Sequence, residues 1–573
     1  MNVRSSIASA ISLLVGSGAA AFVHVSTAAA DESFFLRPGS LIISSSNYEG
    51  GTGAVASLVV GTPLANTNTA TIAAVSDNNY VTVWNNDTVD ASFGVTSPIF
   101  LTAVDPNSGH VFNRLSVPTG QVVTSFSSKS ELALHLGHDE RGNHLVFVGY
   151  ASAGVGALDV SNSDAVAGQD PTNPVSFAFG SNYAFHRTIV SLDDDGRFSY
   201  TPTINYGGNN GRAALLGSNG LYYTVGNANN GNAETFGSAS NGTTPDVTET
   251  TGLEAVNQIN GRSPSVTIPS GNSAEVNPLL QFGLGKKGAD DKPGKDDNFR
   301  GITEFNGALY FTKGSGSNGV QTVYTVVNTS QSPAGFVPAP NSGPAAGNVL
   351  PTVANAGQQA VVILNGFPTD SARASLADGT SGGDFTPFAM FFANDHTLYV
   401  TDEGTGNSAD AAHAGLEKWI LGSNGTWTLA YTLTGGLIGK VDSNLVGFDG
   451  PYPDVTTIGL RNLTGLVNRD GTVTLWAATS TNSTSGDTGA DPNRVVEITD
   501  EVAATALTGQ VARETFRTIE GPTYGTVYRG VAYVVAGDQD HDRGHDGHDN
   551  DNDNDNGHGN GNGHDDYGNG HGR

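Results

Sequence analysis

One local pattern recurs along this chain of 573 residues. Two short runs of β-branched, aromatic or apolar residues flank a turn of the Asn-Gly, Asp-Gly or Asn-Asn kind, which is the signature of a β-hairpin. Seven copies are legible. They are ATIAAVSDNNYVTVWNND from Ala70, ELALHLGHDERGNHLVFVGYA from Glu131, GRAALLGSNGLYYTVGN from Gly211, RGITEFNGALYFTKGS from Arg300, FAMFFANDHTLYVTDEG from Phe388, RNLTGLVNRDGTVTLWAATS from Arg461 and GPTYGTVYRGVAYVVAGD from Gly521. With the second run as marker, Val81, Leu145, Leu221, Leu309, Leu398, Leu475 and Tyr533 lie 64, 76, 88, 89, 77 and 58 residues apart. Several gaps hold a further hairpin: SPIFLTAVDPNSGHVFNRLSV, HRTIVSLDDDGRFSYTP and GLEKWILGSNGTWTLAYTL. One unit is therefore about four strands, the content of a propeller blade.

The two ends of the repeat are incomplete in complementary ways. After AYVVAGD the chain turns polar and supplies no outer hairpin, whereas SLIISSSNYEGG and AVASLVVG precede the first copy without partners. Pairing the N-terminal strands with the last blade closes a ring and removes exposed sheet edges. The fold expected is all-β: a single β-propeller over residues 31–538 with seven four-stranded blades, six or eight being the alternatives.

Charged residues make up only 14% of the chain and Gly numbers 76, a balance suited to short strands and many turns. Residues 1–30 read as a signal peptide: Arg4, an apolar middle ISLLVGSGAAAFV, and a small-residue cleavage site near Ala30. Secretion, extracellular or periplasmic, is the expected destination, and no later apolar run reaches the roughly 18 residues of a membrane span. Cysteine is absent, so there is no thiol nucleophile or disulfide framework. The formal charge is −29, which opposes nucleic acid and anionic membranes as partners and favours cations or neutral molecules.

LYVTDEG followed by GLEKW, and LWAATS followed by PNRVVEI, resemble NHL-type and YVTN-like propeller repeats, in which a strand ending in Asp or Ser and Gly precedes a further apolar strand. The phrases YVTVWNNDTVDASFGVTSPIFL and FRGITEFNGALYFTKGSGSNGVQTVY are similar to a family of exported bacterial proteins of no assigned activity. The resemblance covers roughly Phe34–Asp538 and implies a propeller. It carries no chemistry, since one fold hosts many functions.

Propeller sites gather where loops meet the innermost strands. Arg212, Arg300 and Arg461 each precede or open the first run of a hairpin, and their guanidinium forks suit a carboxylate or phosphate at the channel mouth. Asn227 and Lys313 leave second runs at the same end. So do Asp87, Asp402 and Glu403, hard oxygen ligands suited to Ca²⁺ in the channel. Against each stands a plainer role, an arginine capping carbonyls or an acid closing a turn. SLDDDG lacks the spacing of a calcium loop and reads as a hairpin turn. No G-x-S-x-G elbow or H-E-x-x-H pair occurs, and His135, His138 and His186 stand in isolation.

The segment 539–573 has almost no apolar residue and is expected to be disordered. Its six histidines, His541, His545, His548, His558, His564 and His571, lie among Asp, Asn and Gly, a composition for weak multivalent Zn²⁺, Ni²⁺ or Cu²⁺ binding. Two functions remain open. One is a non-catalytic, monomeric binding or surface-associated protein taking a small molecule, carbohydrate or protein at the channel face. The other is a Ca²⁺-dependent extracellular hydrolase of lactonase or phosphoesterase (phytase-like) type.

Overall fold

A computed structural model describes residues 36–48 and, with intervals, residues 52–535; the intervals longer than ten residues are 163–186, 228–251, 260–278, 283–296, 329–339, 370–384 and 442–454. The signal segment and the His-rich tail therefore lie outside the described residues.

Six blades surround one axis, each built on four antiparallel strands, with further short strands extending the sheets of blades 2, 4 and 6. Blade 1 joins the chain ends, with β1 (Leu41–Asn47), β2 (Ile99–Val104) and β3 (Val111–Ser116) ranged outward from the last strand of the chain. Blade 2 comprises β4 (His135–Asp139), β5 (Gly142–Ala151), β6 (Arg187–Asp193) and β7 (Phe198–Thr203). Blade 3 comprises β8 (Gly211–Leu216), β9 (Tyr222–Gly226), β10 (Leu253–Val256) and β11 (Leu280–Phe282). Blade 4 is built from β12 (Ile302–Phe305), β13 (Ala308–Lys313), β14 (Thr322–Asn328) and β15 (Gln359–Leu364). Blade 5 holds β16 (Pro387–Asn394), β17 (Thr397–Asp402), β18 (Gly415–Leu421) and β19 (Trp427–Leu433). In blade 6 are β20 (Val455–Val467), β21 (Thr472–Asn482), β22 (Val495–Glu501) and β23 (Arg517–Glu520), after which β24 (Thr526–Tyr533) returns to blade 1 as its innermost strand. The innermost strands β24, β4, β8, β12, β16 and β20 touch in succession and complete the circle.

The expected closure is present: Leu41 pairs with Tyr533, Ile42 with Ala532 and Ile43 with Val531. The expected count of seven is corrected to six. In the first copy, Ala70–Asp87, the described residues form only the two-residue strands Ile72–Ala73, Val75–Ser76 and Trp84–Asn85, in small separate pairs between β1 and β2. The seventh copy supplies one innermost strand, and its partner is β1 rather than its own first run. A hairpin pattern reports local pairing; whether that hairpin stands in the ring depends on partners hundreds of residues away.

Alternation along LYVTDEG works as a blade strand requires. Leu398 and Val400 pack into the core shared with blade 4, while Tyr399 faces the core shared with blade 6. Between blades 5 and 6, Lys418 and Asp500 form a fully buried ion pair at 2.9 Å, to which Tyr399 and Tyr431 donate their hydroxyls.

Near the axis the blades are tied by a repeated hydrogen bond. In blade 4 the Thr312 hydroxyl accepts from Gly301 N (3.0 Å) and donates to Phe388 O of blade 5 (2.6 Å). Thr401 of blade 5 accepts from Ala389 N (2.9 Å) and donates to Arg461 O of blade 6 (2.6 Å). The Asn462 amide then donates to Arg529 O of blade 1 (2.7 Å). Ser44 of blade 1 accepts from Gly530 N and donates to Leu132 O, the residue leading into β4, both at 2.7 Å. Gly301 and Gly530 stand where the backbones of two blades approach closely; a Cβ would lie 2.2 Å from Phe388 O and 2.1 Å from Leu132 O respectively. Thr401→Val keeps the shape but leaves a buried N–H and a buried carbonyl less well satisfied. A loss of about 1–3 kcal/mol is expected in urea unfolding, and an unchanged midpoint would show that the inter-blade bonds contribute nothing.

Candidate functional site: the central channel

The same backbone irregularity opens the innermost strand of five blades. Arg212 in β8, Arg300–Gly301 before β12, Phe388–Ala389 in β16, Arg461–Asn462 in β20 and Arg529–Gly530 in β24 each add a residue against the facing strand. Such a β-bulge bends the strand and re-aims its side chain. Four of the five positions place an arginine at one end of the channel, and all four are buried. Arg529 was missed by the sequence reading although YRG in the last copy carries the same signal as FRG at Arg300.

The structure brings Arg300, Arg461, Asp402 and Glu403 together. Arg461 Nε lies 3.2 Å from Glu403 Oε2, and Arg300 Nη2 lies 3.5 Å from Oε1. Both guanidiniums sit over the Phe388 ring, at 5.6 and 5.8 Å from its centroid. Burial pushes the Arg300 pKa down, Glu403 partly restores it, and Arg461 opposes that. Asp402 accepts from Thr386 N and Gly404 N, each at 2.8 Å, and from the Thr386 hydroxyl. Burial nevertheless raises Asp402, and burial with the charge of Asp402 raises Glu417, its diagonal neighbour across β17 and β18. Lys313, at the end of β13, is also buried, as is Arg212, while Asn227 is half-buried and donates its N–H to Asn210 O at 3.0 Å. Asp87 lies outside the described residues, as do the six tail histidines.

These carboxylates are engaged by the protein's own donors. A calcium ion at Asp402 and Glu403 would have to displace Thr386, Gly404 and both arginines from their oxygens. Among the described residues no group of three or more His, Asp or Glu is arranged to hold a metal ion.

Beyond the bulges the channel is mainly apolar, with Thr303, Asn462 and Thr464 also on its wall. A cavity of about 380 Å³ runs between the innermost strands, walled by Leu134, Ile302, Met390, Phe391, Leu463 and Tyr533 among others. Its far rim includes Val467 and Val535, which are 45% and 50% exposed. One titratable imidazole lines the wall: His135 Nδ1 faces Ala214 O at 3.0 Å and so donates to it. Burial lowers the His135 pKa to about 4, although the Ile302 and Ala214 carbonyls pull it upward. The neutral ring, its Nδ1 proton held by a carbonyl, reads as a polar contact in an apolar tube.

No protein-family model and no curated protein sequence matches the chain. Among solved structures, a Synechocystis apocarotenoid oxygenase variant overlaps 87% of this chain and 92% of its own at 8% identity and a TM-score of 0.29. The haemagglutinin-neuraminidase ectodomain of parainfluenza virus 5 overlaps 77% of this chain and 75% of its own at 10% identity, TM-score 0.25. A Bacillus subtilis arabinoxylan arabinofuranohydrolase of glycoside hydrolase family 43 overlaps 82% and 93% at 9% identity, TM-score 0.25. At those scores the overlaps carry no chemistry to this chain.

The imidazole gives a pH prediction. An unfolded histidine takes up its proton near pH 6.5, whereas folded His135 holds out until about 4. Between those values the unfolded chain binds more protons, so stability falls as pH is lowered through the window. His135→Gln keeps the donor without the titration and is expected to flatten this fall in melting temperature. An identical slope in the variant would remove His135 as its source.

Proposed function

We propose that this is an exported, non-catalytic binding propeller that takes a small, predominantly apolar molecule into its central channel. The supporting observation is the cavity itself: about 380 Å³ of largely apolar wall. Its far rim is an exposed apolar edge, and its one imidazole favours the neutral state. A volume in this range suits a small ligand held by burial with few polar contacts. At the other end the charges grip each other, so the arginines, Asp402 and Glu403 serve as the base of the tube and its structural frame.

The C-terminal tail belongs to the same reading. β24 ends at Tyr533 beside the far rim, and Val535 forms part of that rim. The His- and Asp-rich segment 539–573 follows in the chain, and its imidazoles and carboxylates would concentrate divalent metal ions. Export rests on the leader at residues 1–30, and kinship with NHL-like propellers on the repeat phrases.

Nile red, an uncharged apolar fluorophore, tests the channel. The wild-type protein is expected to bind it saturably at one site per chain. Val467→Glu, a charge on an exposed rim position, is expected to weaken binding about tenfold by the cost of desolvating the carboxylate. Absence of saturable binding to the wild-type protein, or full binding to the variant, would overturn the channel assignment. Zinc uptake by equilibrium dialysis tests the tail. The full chain is expected to retain several ions above pH 7 and to lose them as the imidazoles protonate below about 6.5. A chain ending at Asp538 that takes up as much zinc would remove the tail from this account.

A further inference from the structure

The seam where the ring closes contains a second cavity, about 260 Å³ in volume, between blade 1 and the outer strand of blade 6. Its position is unusual for a propeller. The faces of neighbouring blades normally pack dry, and the inner part of this seam does so through Leu41, Val104, Val495, Val531 and the stacked pair Trp476–Tyr533, whose rings lie 4.7 Å apart. Further along, the same face of blade 1 turns polar. Alternation puts Ser45 and Asn47 on one face of β1, and the ladder places Thr102, Arg114, Thr526 and Tyr528 beside them. Glu520, ending β23, faces them across the gap.

These groups are held in place from behind. The Asn47 amide donates to Thr526 Oγ1 at 3.0 Å and its carbonyl oxygen accepts from Ser45 Oγ at 3.2 Å, which leaves one N–H and one lone pair for a guest. Tyr528 OH donates to Gly521 O at 3.2 Å. The Arg114 guanidinium lies over Phe100, its central carbon 3.9 Å from the ring centroid. Arg114 and Glu520 share the cavity, yet no ion pair joins them, and among the described residues neither side chain has a hydrogen-bond partner. Burial pushes the Glu520 carboxyl up and the Arg114 guanidinium down.

We infer that this seam pocket binds a neutral monosaccharide unit. At about 30 Å³ per water, it has room for roughly nine waters, the scale of one sugar ring and its hydroxyls. A sugar presents adjacent hydroxyls that accept from Arg114 and donate to Glu520, and further hydroxyls around the ring meet Asn47, Thr523 and Tyr528. An amino acid would satisfy the two charges and leave the ring of hydroxyl and amide groups unmet. Val111, 45% exposed at the edge, offers an apolar contact to the sugar's C–H face. Because the walls come from β1, β2 and β3 near the N-terminus and β23 and β24 near the C-terminus, a guest here cross-links the closure of the ring. Binding therefore stabilises the fold by mass action.

The test uses the full chain and a panel of glucose, galactose, mannose, xylose and arabinose, with glycine and alanine as zwitterions. Saturation-transfer NMR and thermal unfolding are read together. At least one sugar is expected to give a transfer signal and a saturable rise in melting temperature. Arg114→Met and Glu520→Gln, both at accessible positions, are expected to weaken that binding at least tenfold while keeping the wild-type circular dichroism. A rise that stays linear in sugar concentration and equal in the variants is the general osmolyte effect and overturns the inference. Saturable binding of the amino acids without the sugars overturns it equally.

Discussion

The interaction on which the rest of this molecule depends is the hydroxyl or amide bond that passes from blade to blade around the axis. Each link reaches a backbone carbonyl of the neighbouring blade, and Thr312, Thr401 and Ser44 also accept from an N–H at a bulge in their own blade. Thr312, Thr401, Asn462 and Ser44 carry four successive links, and the last of them crosses from the closing blade to the strand that follows it. Ser44 and Gly530 are 486 positions apart in sequence, so this link also fixes the ends of the chain against each other. A buried backbone group without a partner costs more than a made bond returns. The wheel is consequently specified as much by the penalty for not closing as by the gain from closing.

The bulges that these bonds satisfy also decide what the channel is. Two residues against one bends five of the six innermost strands and delivers Arg212, Arg300, Arg461 and Arg529 to one end. Burying several guanidiniums together is costly unless they are paired. Glu403 between Arg300 and Arg461, with Phe388 beneath both, answers that locally. Once charge is concentrated and neutralised at that end, the rest of the tube is left mainly to apolar side chains. The division between a charged base and an apolar bore is thus a consequence of where the strands bend. The seam differs because its polar groups lie along one face of all four strands of blade 1, opposite Glu520 at the end of β23.

Much of the architecture was legible before any coordinates. Turn chemistry and alternation identified the β2–β3, β6–β7 and β18–β19 hairpins and the inner hairpins of five blades, and the unpartnered ends implied the clasp. Asp402 and Glu403 were marked with Asp87 as calcium ligands; Glu403 instead pairs with Arg300 and Arg461, Asp402 accepts from Thr386 and Gly404, and Asp87 lies outside the described residues. The count failed at Ala70–Asp87, whose alternation looks like the other copies but whose described residues form only small separate pairs. The outer strands of blade 3, Leu253–Val256 and Leu280–Phe282, were hidden in a long stretch rich in Gly, Asn, Ser and Thr. Short strands there rely on neighbours for their conformation, so propensity reports them weakly.

The sequence by itself determined the period, the hairpins, the faces on which residues such as Leu398 and Tyr399 lie, and the need for the two ends to meet. Those properties follow from rotation per residue and from turn stereochemistry, which act within a few positions. Only the tertiary structure decided that there are six blades, that Glu403 is shared by two arginines, that the channel is mainly apolar, and that Arg114 faces Glu520 across a gap. Each of these depends on strand register between distant segments. A one-residue slip would reverse every face while leaving the local pattern unchanged.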